Sequence, residues 1–286
     1  MKERLDPLIA ERAPWLFSEN AHGRLFRPPL MKLLGYERSL SLATLYLDWD
    51  ARHIMTHVGG LLVRQMRVSG LEHLPRQGSA LIVANHPTGI ADGVMLYSAI
   101  ASLRPDLFIY ANSDILRILP QFHELIAPVE WRADKRSRAK TRATMEYTRT
   151  ALEAGRLGVI FPSGRLAKRR GLSLYERPWM ASAATIARKY DLPVIPIHIS
   201  ARNSILFYLF DAIHPTLRDI TLFHELLNKD RQPYRIRIGE PISASALPQR
   251  PEEGIALLRS AVLSLAGRER PTVSLVRTTR RPSWAR

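Results

Sequence analysis

The chain has 286 residues, 46% of them hydrophobic, which suits one large domain with a sizeable core and excludes a disordered chain. It contains no cysteine, which excludes disulfides and thiolate chemistry. Lys and Arg number 42 against 26 Asp and Glu, and the resulting net charge of +16 attracts polyanions of every kind, from nucleic acid to an anionic bilayer, without choosing among them.

Met1 to Pro7 carries Lys2, Glu3, Arg4 and Asp6 and lacks the apolar core of a secretory signal. The most apolar stretches, Leu42 to Leu62 and Val194 to Ile213, are broken by charged residues, so no membrane-spanning helix is expected. Between Leu40 and Val68, residues Leu42, Leu45, Leu47, Ile54, Met55, Val58, Leu61, Leu62 and Met66 recur at roughly helical spacing. The pattern predicts an amphipathic helix, or a helical hairpin with the preceding Pro29 to Gly35. Its apolar face either packs on a core or lies in a membrane interface, with Trp15, Phe17, Phe26, Tyr36 and Trp49 as anchors. Residues 1–68 are thus read as an N-terminal helical segment able to associate with a membrane. Within it His53 and His57 share a helix face, but Ile54 stands where a zinc-site glutamate would be and no third ligand is evident. A packing role is expected for both, and no metal.

Past Gly70 short apolar runs alternate with helical stretches. The runs are Ala80 to Ala84, Leu107 to Ala111, Leu125 to Val129, Leu157 to Phe161, Val194 to Ile199 and Tyr234 to Ile238. The helical stretches are Ala91 to Leu103, Arg138 to Ala154 and Ala181 to Tyr190. Such alternation predicts an α/β domain over 69–266, with a mostly parallel central sheet flanked by helices. His198 falls in a strand. From 267 to 286 the chain is rich in arginine and has little apolar periodicity, which predicts a mobile basic tail.

Two strand ends carry the chemistry. ALIVANHPTGIADG runs from a buried strand into Asn85 and His86, turns through Pro87, Thr88 and Gly89, and enters a helix whose first turn holds Asp92. The carboxyl ends of strands are where ligands bind in open α/β sheets. A carboxylate across a tight turn can fix the histidine tautomer and leave the other ring nitrogen to take a proton. The competing reading makes Asp92 a helix cap and His86 an ordinary turn residue. Backbone N–H groups at the helix start after Gly89 are candidate donors to an oxyanion. The second strand end, Phe161-Pro162-Ser163-Gly164-Arg165 followed by Lys168, Arg169 and Arg170, combines a glycine turn with cations, which suits a phosphate or carboxylate.

These blocks, with Arg132 in APVEWR, the VIPI of Val194 to Ile197 and the GEPI of Gly239 to Ile242, resemble the glycerophospholipid acyltransferase family, which includes 1-acylglycerol-3-phosphate acyltransferases. The similarity covers residues 70 to 245 in the family's block order. Two features depart from its commonest pattern: five residues separate His86 from Asp92 instead of four, and Ser163 stands in place of the third-block glutamate. HPTGIADG is more similar to the subgroup of hemolysin-like proteins and acyltransferases of ornithine and other amino-acid lipids.

The resemblance implies transfer of a fatty acyl group from acyl-CoA or acyl carrier protein to a hydroxyl of a lysolipid or glycerophosphate-type acceptor. His86 would be the general base and Asp92 its partner. Arg165, assisted by Arg132, would hold the acceptor's anionic group beside the Ser163-Gly164 turn. Lys168 would extend that patch or face an acidic carrier. The thioester is a co-substrate, and no cofactor is implied. Such an enzyme would work peripherally at the cytoplasmic face of a membrane. Two alternatives of other classes are a basic nucleic-acid-binding protein, against which the scatter of the cations speaks, and a lipid hydrolase using Ser163 as nucleophile. No G-x-S-x-G elbow surrounds that serine.

Overall fold

The computed structural model describes residues 1–18, 21–130, 135–267 and 272–274. Its strands in chain order are β1 (Met66–Ser69), β2 (Ala80–Ala84), β3 (Phe108–Asn112), β4 (Ile126–Val129), β5 (Leu157–Ile160), β6 (Lys168–Arg170), β7 (Ser173–Tyr175), β8 (Val194–Ser200), β9 (Tyr234–Ile238) and β10 (Thr272–Ser274). Seven of them form one sheet in the order β1-β9-β8-β2-β5-β3-β4. Within it only the β8/β9 pairing is antiparallel, so the sheet is mostly parallel, as expected. The remaining three make a small antiparallel sheet, β10-β7-β6.

The helices are α1 (Lys2–Arg12), α2 (Ala21–Leu33), α3 (Tyr36–Leu45), α4 (Ala51–Leu62), α5 (Ile90–Ile100), α6 (Asp114–Ile118), α7 (Arg138–Glu153), α8 (Ser182–Lys189), α9 (Ile205–Ile213), α10 (Pro215–Ile220), α11 (Leu222–Leu227) and α12 (Pro251–Ser264). Central strand β2 shows how they are layered. Ala80, Ile82 and Ala84 pack with residues of α1, α4 and α5 on one face, whereas Leu81 and Val83 pack with α7, α8 and α12 on the other. Side chains alternate across a strand, so a strand covered on both faces must be apolar at every position, and ALIVA is buried throughout. Each large aliphatic side chain buried this way contributes about 1.5–3 kcal/mol.

The N-terminal helices share that core. Ile54, Met55, Val58 and Leu62 of α4 are buried, and Gly59 permits close contact with α5, because a β-carbon there would lie 1.9 Å from Ser98 Oγ. His53 stacks on Trp49 at 4.3 Å and His57 Nδ1 meets the Tyr46 hydroxyl at 2.9 Å. Both histidines thus sit in an aromatic cluster. His198, in β8, is buried, and burial together with nearby Arg237 depresses its pKa to about 4.

Four strands differ from the sequence reading. Met66–Ser69, placed above in the helical segment, is an edge strand of four residues with half-buried and exposed positions alternating, too short a pattern to separate from the helix before it. Lys168–Arg170 and Ser173–Tyr175 form a hairpin where the cations suggested a loop. Thr272–Ser274, inside the expected basic tail, pair with β7, while 268–271 and 275–286 lie outside the described residues. Among the described residues, no helix is long and apolar enough to cross a membrane.

Candidate active site

Strands β2 and β5 are parallel neighbours, with Val83 opposite Ile160, so both chains leave the sheet at one edge. That register brings the two sequence blocks together. The imidazole of His86 stacks on the Phe161 ring with centroids 4.4 Å apart, and the His86 carbonyl accepts the Ala167 N–H at 2.9 Å. Asn85 fixes the strand end: its amide donates to the Ile199 carbonyl at 2.9 Å, and its oxygen accepts the Ile199 N–H at 2.7 Å. Gly89 then turns the chain into α5 at φ +87, a conformation that an L side chain resists.

Asp92 lies on α5, fully buried. Its Oδ2 accepts the N–H groups of Thr88 at 2.9 Å and Gly89 at 3.0 Å, and its Oδ1 accepts the Thr88 hydroxyl at 2.5 Å and the Tyr234 hydroxyl. His86 Nδ1 lies 2.9 Å from Oδ2. This approach is off the hydrogen-bond line, so buried Nδ1 has a close carboxylate neighbour but no well-formed hydrogen bond. Such bonds commonly tighten only when substrate arrives. One carboxylate thus closes the turn as a helix cap would and also lies close beside the imidazole. The Gly89 N–H is committed to Asp92, so an oxyanion drawing on it would have to share that donor.

His86 is 18% exposed and lines a cavity of about 980 Å³, within the size range of small-molecule sites. Its wall carries the cations Arg165, Lys168, Arg177 and Arg218 together with many aliphatic and aromatic side chains, including Leu42, Tyr46, Met55, Ile109, Leu119 and Phe122. Arg165 and Lys168 are exposed. Gly164, at φ +57, also lines the cavity. The Ser163 hydroxyl donates to the Arg165 carbonyl at 2.7 Å, a turn-forming bond that does not ready it as a nucleophile. Arg132 lies outside the described residues.

Four neighbours had no sequence signal. Tyr234 reaches Asp92 from β9, and its hydroxyl pKa is pushed well up by burial and by that carboxylate. Glu176, just after β7, accepts the His86 backbone N–H at 3.3 Å. Burial raises the pKa of its carboxyl. Arg177 lies near both Arg218 and Arg165, and its guanidinium is held below its usual pKa by burial first and by these two cations next. Arg218 is paired with Asp211 at 3.1 Å and Asp219 at 2.7 Å, which leaves Arg165 and Arg177 as the less committed cations.

Residues 65–200 match the model of the Acyltransferase family. This stretch is an acyltransferase-family domain. Two similar proteins are the lyso-glycine lipid O-acyltransferases of Phocaeicola vulgatus and Bacteroides thetaiotaomicron, 25% and 22% identical over 184 residues, or 62% of this chain. The match spans just under two thirds of each relative, 64% and 66%. A solved 1-acyl-sn-glycerophosphate acyltransferase from Thermotoga maritima superposes over 94% of this chain and 100% of its own with a TM-score of 0.48 and 14% identity. His86, Asp92 and the Ser163-Gly164-Arg165 turn all lie inside the acyltransferase domain. Tyr234 and the cavity-lining helices α9 to α11 lie beyond its end at Ser200.

Proposed function

We propose that the chain is an O-acyltransferase that moves a fatty acyl group from a carrier thioester, acyl-CoA or acyl carrier protein, to the hydroxyl of an anionic lysolipid. The observation that carries this reading is the His86–Asp92 pair, with the imidazole on the wall of a large cavity lined mostly by apolar side chains. His86 takes the acceptor's hydroxyl proton through Nε2, the nitrogen turned away from Asp92, as the oxygen attacks the thioester carbonyl. Asp92 balances the imidazolium, which then returns the proton to the departing thiolate. The apolar part of the cavity accommodates acyl chains. The two relatives named for lyso-glycine lipids favour an acceptor whose head group carries a carboxylate, which suits the planar fork of arginine. The test is transfer of labelled acyl groups by the purified protein to a panel of lyso-amino-acid lipids and lysophosphatidate. Absence of transfer to every lysolipid would overturn the reading.

Arg165 and Arg177 are assigned to the acceptor's anionic group. Arg165→Ala is expected to raise KM for the lysolipid roughly tenfold while leaving KM for the thioester unchanged, because its charge serves binding of one substrate. A rise confined to the thioester would reassign Arg165 to the donor.

The reading also includes a bilayer from which the lipid enters directly. α9 lines the cavity through Phe207 while Ile205, Leu209 and Ile213, spaced four apart, face solvent at 83%, 54% and 62% exposure. Similarly, α2 lines it through Met31 while Leu25, Phe26 and Leu33 are exposed. Exposed apolar shoulders flanked by cations suit insertion among anionic lipids. Replacing Ile205, Leu209 and Ile213 together with serine is expected to cut co-sedimentation with phosphatidylglycerol-containing vesicles several-fold. Turnover of a short-chain lysolipid in free solution should be unchanged. Wild-type vesicle binding in this variant would remove α9 from the contact.

A further inference from the structure

His86 is held by more than its own strand. Its carbonyl accepts from Ala167 at 2.9 Å and its N–H donates to Glu176 Oε2 at 3.3 Å, so both sides of the residue are bonded to the segment that starts at the Ser163-Gly164 turn and returns through the β6–β7 hairpin. The same carboxylate is fixed from its other oxygen, which accepts the Trp179 indole N–H at 3.1 Å. Ser163 and the His86 imidazole also lie within its electrostatic reach. A further strut, Arg177 Nε to the Leu166 carbonyl at 3.0 Å, ties the end of the hairpin to its beginning. The excursion buries Leu174 against Phe207 and Tyr208 and returns a carboxylate to the neighbourhood of Ser163, whose hydroxyl is neutral.

We propose that Glu176 is a positioning residue for the transfer reaction: carried on the hairpin, it holds the His86 peptide in register with Phe161 and adds negative charge beside the imidazole. Asp92 approaches the ring off the ideal line because the same oxygen serves two backbone N–H groups. A second anchor on the opposite side of His86 is therefore what keeps the ring within reach of Asp92 when substrate binds. A glutamate at 163 would set a further carboxylate directly beside Glu176, where the two like charges would repel and one would be forced to take a proton.

The assignment rests on the transfer reading, and two measurements separate their fates. In the acyl transfer assay, Glu176→Gln is expected to lower kcat about 10- to 100-fold, the range for losing one charge-assisted hydrogen bond. KM for both substrates should stay within about twofold, the pattern expected when ground-state binding is untouched. Ser163→Glu alone should lose activity, and Ser163→Glu with Glu176→Ser should recover at least part of it by leaving one carboxylate beside Asp92 instead of two. A kcat unchanged in Glu176→Gln, or a loss confined to KM, would overturn the proposal. Independently of any reaction, the His86 amide in the full chain should exchange with deuterium roughly tenfold faster in Glu176→Ala than in wild type, as expected when its acceptor is removed. Unchanged exchange at His86 would overturn the anchoring role whatever the protein transfers.

Discussion

Replacing His86 with alanine is expected to lower kcat for acyl transfer by about 10²–10⁴-fold, the usual contribution of a general base. Stability should change little, because the ring is partly exposed and its Nδ1 makes no well-formed hydrogen bond. Asp92→Asn should behave differently. The carboxylate receives Thr88 N–H and hydroxyl, Gly89 N–H and the Tyr234 hydroxyl while fully buried. An asparagine amide would present N–H to some of these donors, so a stability loss of about 1–3 kcal/mol should accompany the loss of transfer. From the sequence alone, the expectation would be that both variants keep the fold, since both residues sit at a strand end. The hydrogen bonds to Asp92 separate them. Steady-state kinetics alongside urea denaturation checks both halves. Full activity in His86→Ala would end the proposed mechanism, and an Asp92→Asn protein as stable as wild type would remove the closing role of the carboxylate.

The parts of this site that could be read in advance are those written locally in the chain. ALIVA, LGVIF and VIPIHI are short runs, apolar or nearly so, bounded by turn residues, and they became the three central strands β2, β5 and β8. His86, Asp92 and Gly89 lie within one tight turn, so their proximity follows from spacing. That the Ser163 turn belongs beside them follows only if β2 and β5 are neighbours, which no periodicity states. Tyr234 and Glu176 were out of reach for the same reason. Tyr234 meets Asp92 only because β9 pairs antiparallel with β8, and Glu176 meets His86 only because Lys168–Arg170 and Ser173–Tyr175 fold into a hairpin. A basic run such as Lys168 to Arg170 reads as a solvated loop because its strand character comes from pairing and from no pattern of its own. The N-terminal helices present the reverse case. Their amphipathic spacing was clear, yet the same spacing serves both the core and a membrane, and the structure shows one face of α4 buried on α5 while α2 keeps Leu25, Phe26 and Leu33 exposed.

Lys229→Met is expected to destabilise the protein by about 3–5 kcal/mol, the range for breaking a buried ion pair from one side. Lys229 and Glu225 are 0% and 1% exposed and lie 3.1 Å apart. Burial drives the lysine pKa down, and Glu225 opposes that shift. The carboxylate also accepts the Ser204 N–H at 2.8 Å and its hydroxyl at 2.5 Å, so one buried charge joins α11 to the residue that caps α9. Removing the ammonium takes away the cation that lies 3.1 Å from that buried carboxylate. Removing both charges, as in Glu225→Gln with Lys229→Met, keeps an acceptor for Ser204 and no uncompensated charge, so the double variant should be more stable than Lys229→Met alone. The urea midpoints of the three proteins decide this, provided their slopes agree. Equal midpoints for the single and double variants would show that the charges are not coupled. Because α9 and α11 both wall the cavity, through Phe207 and Leu222, the single variant should also bind lysolipid less tightly.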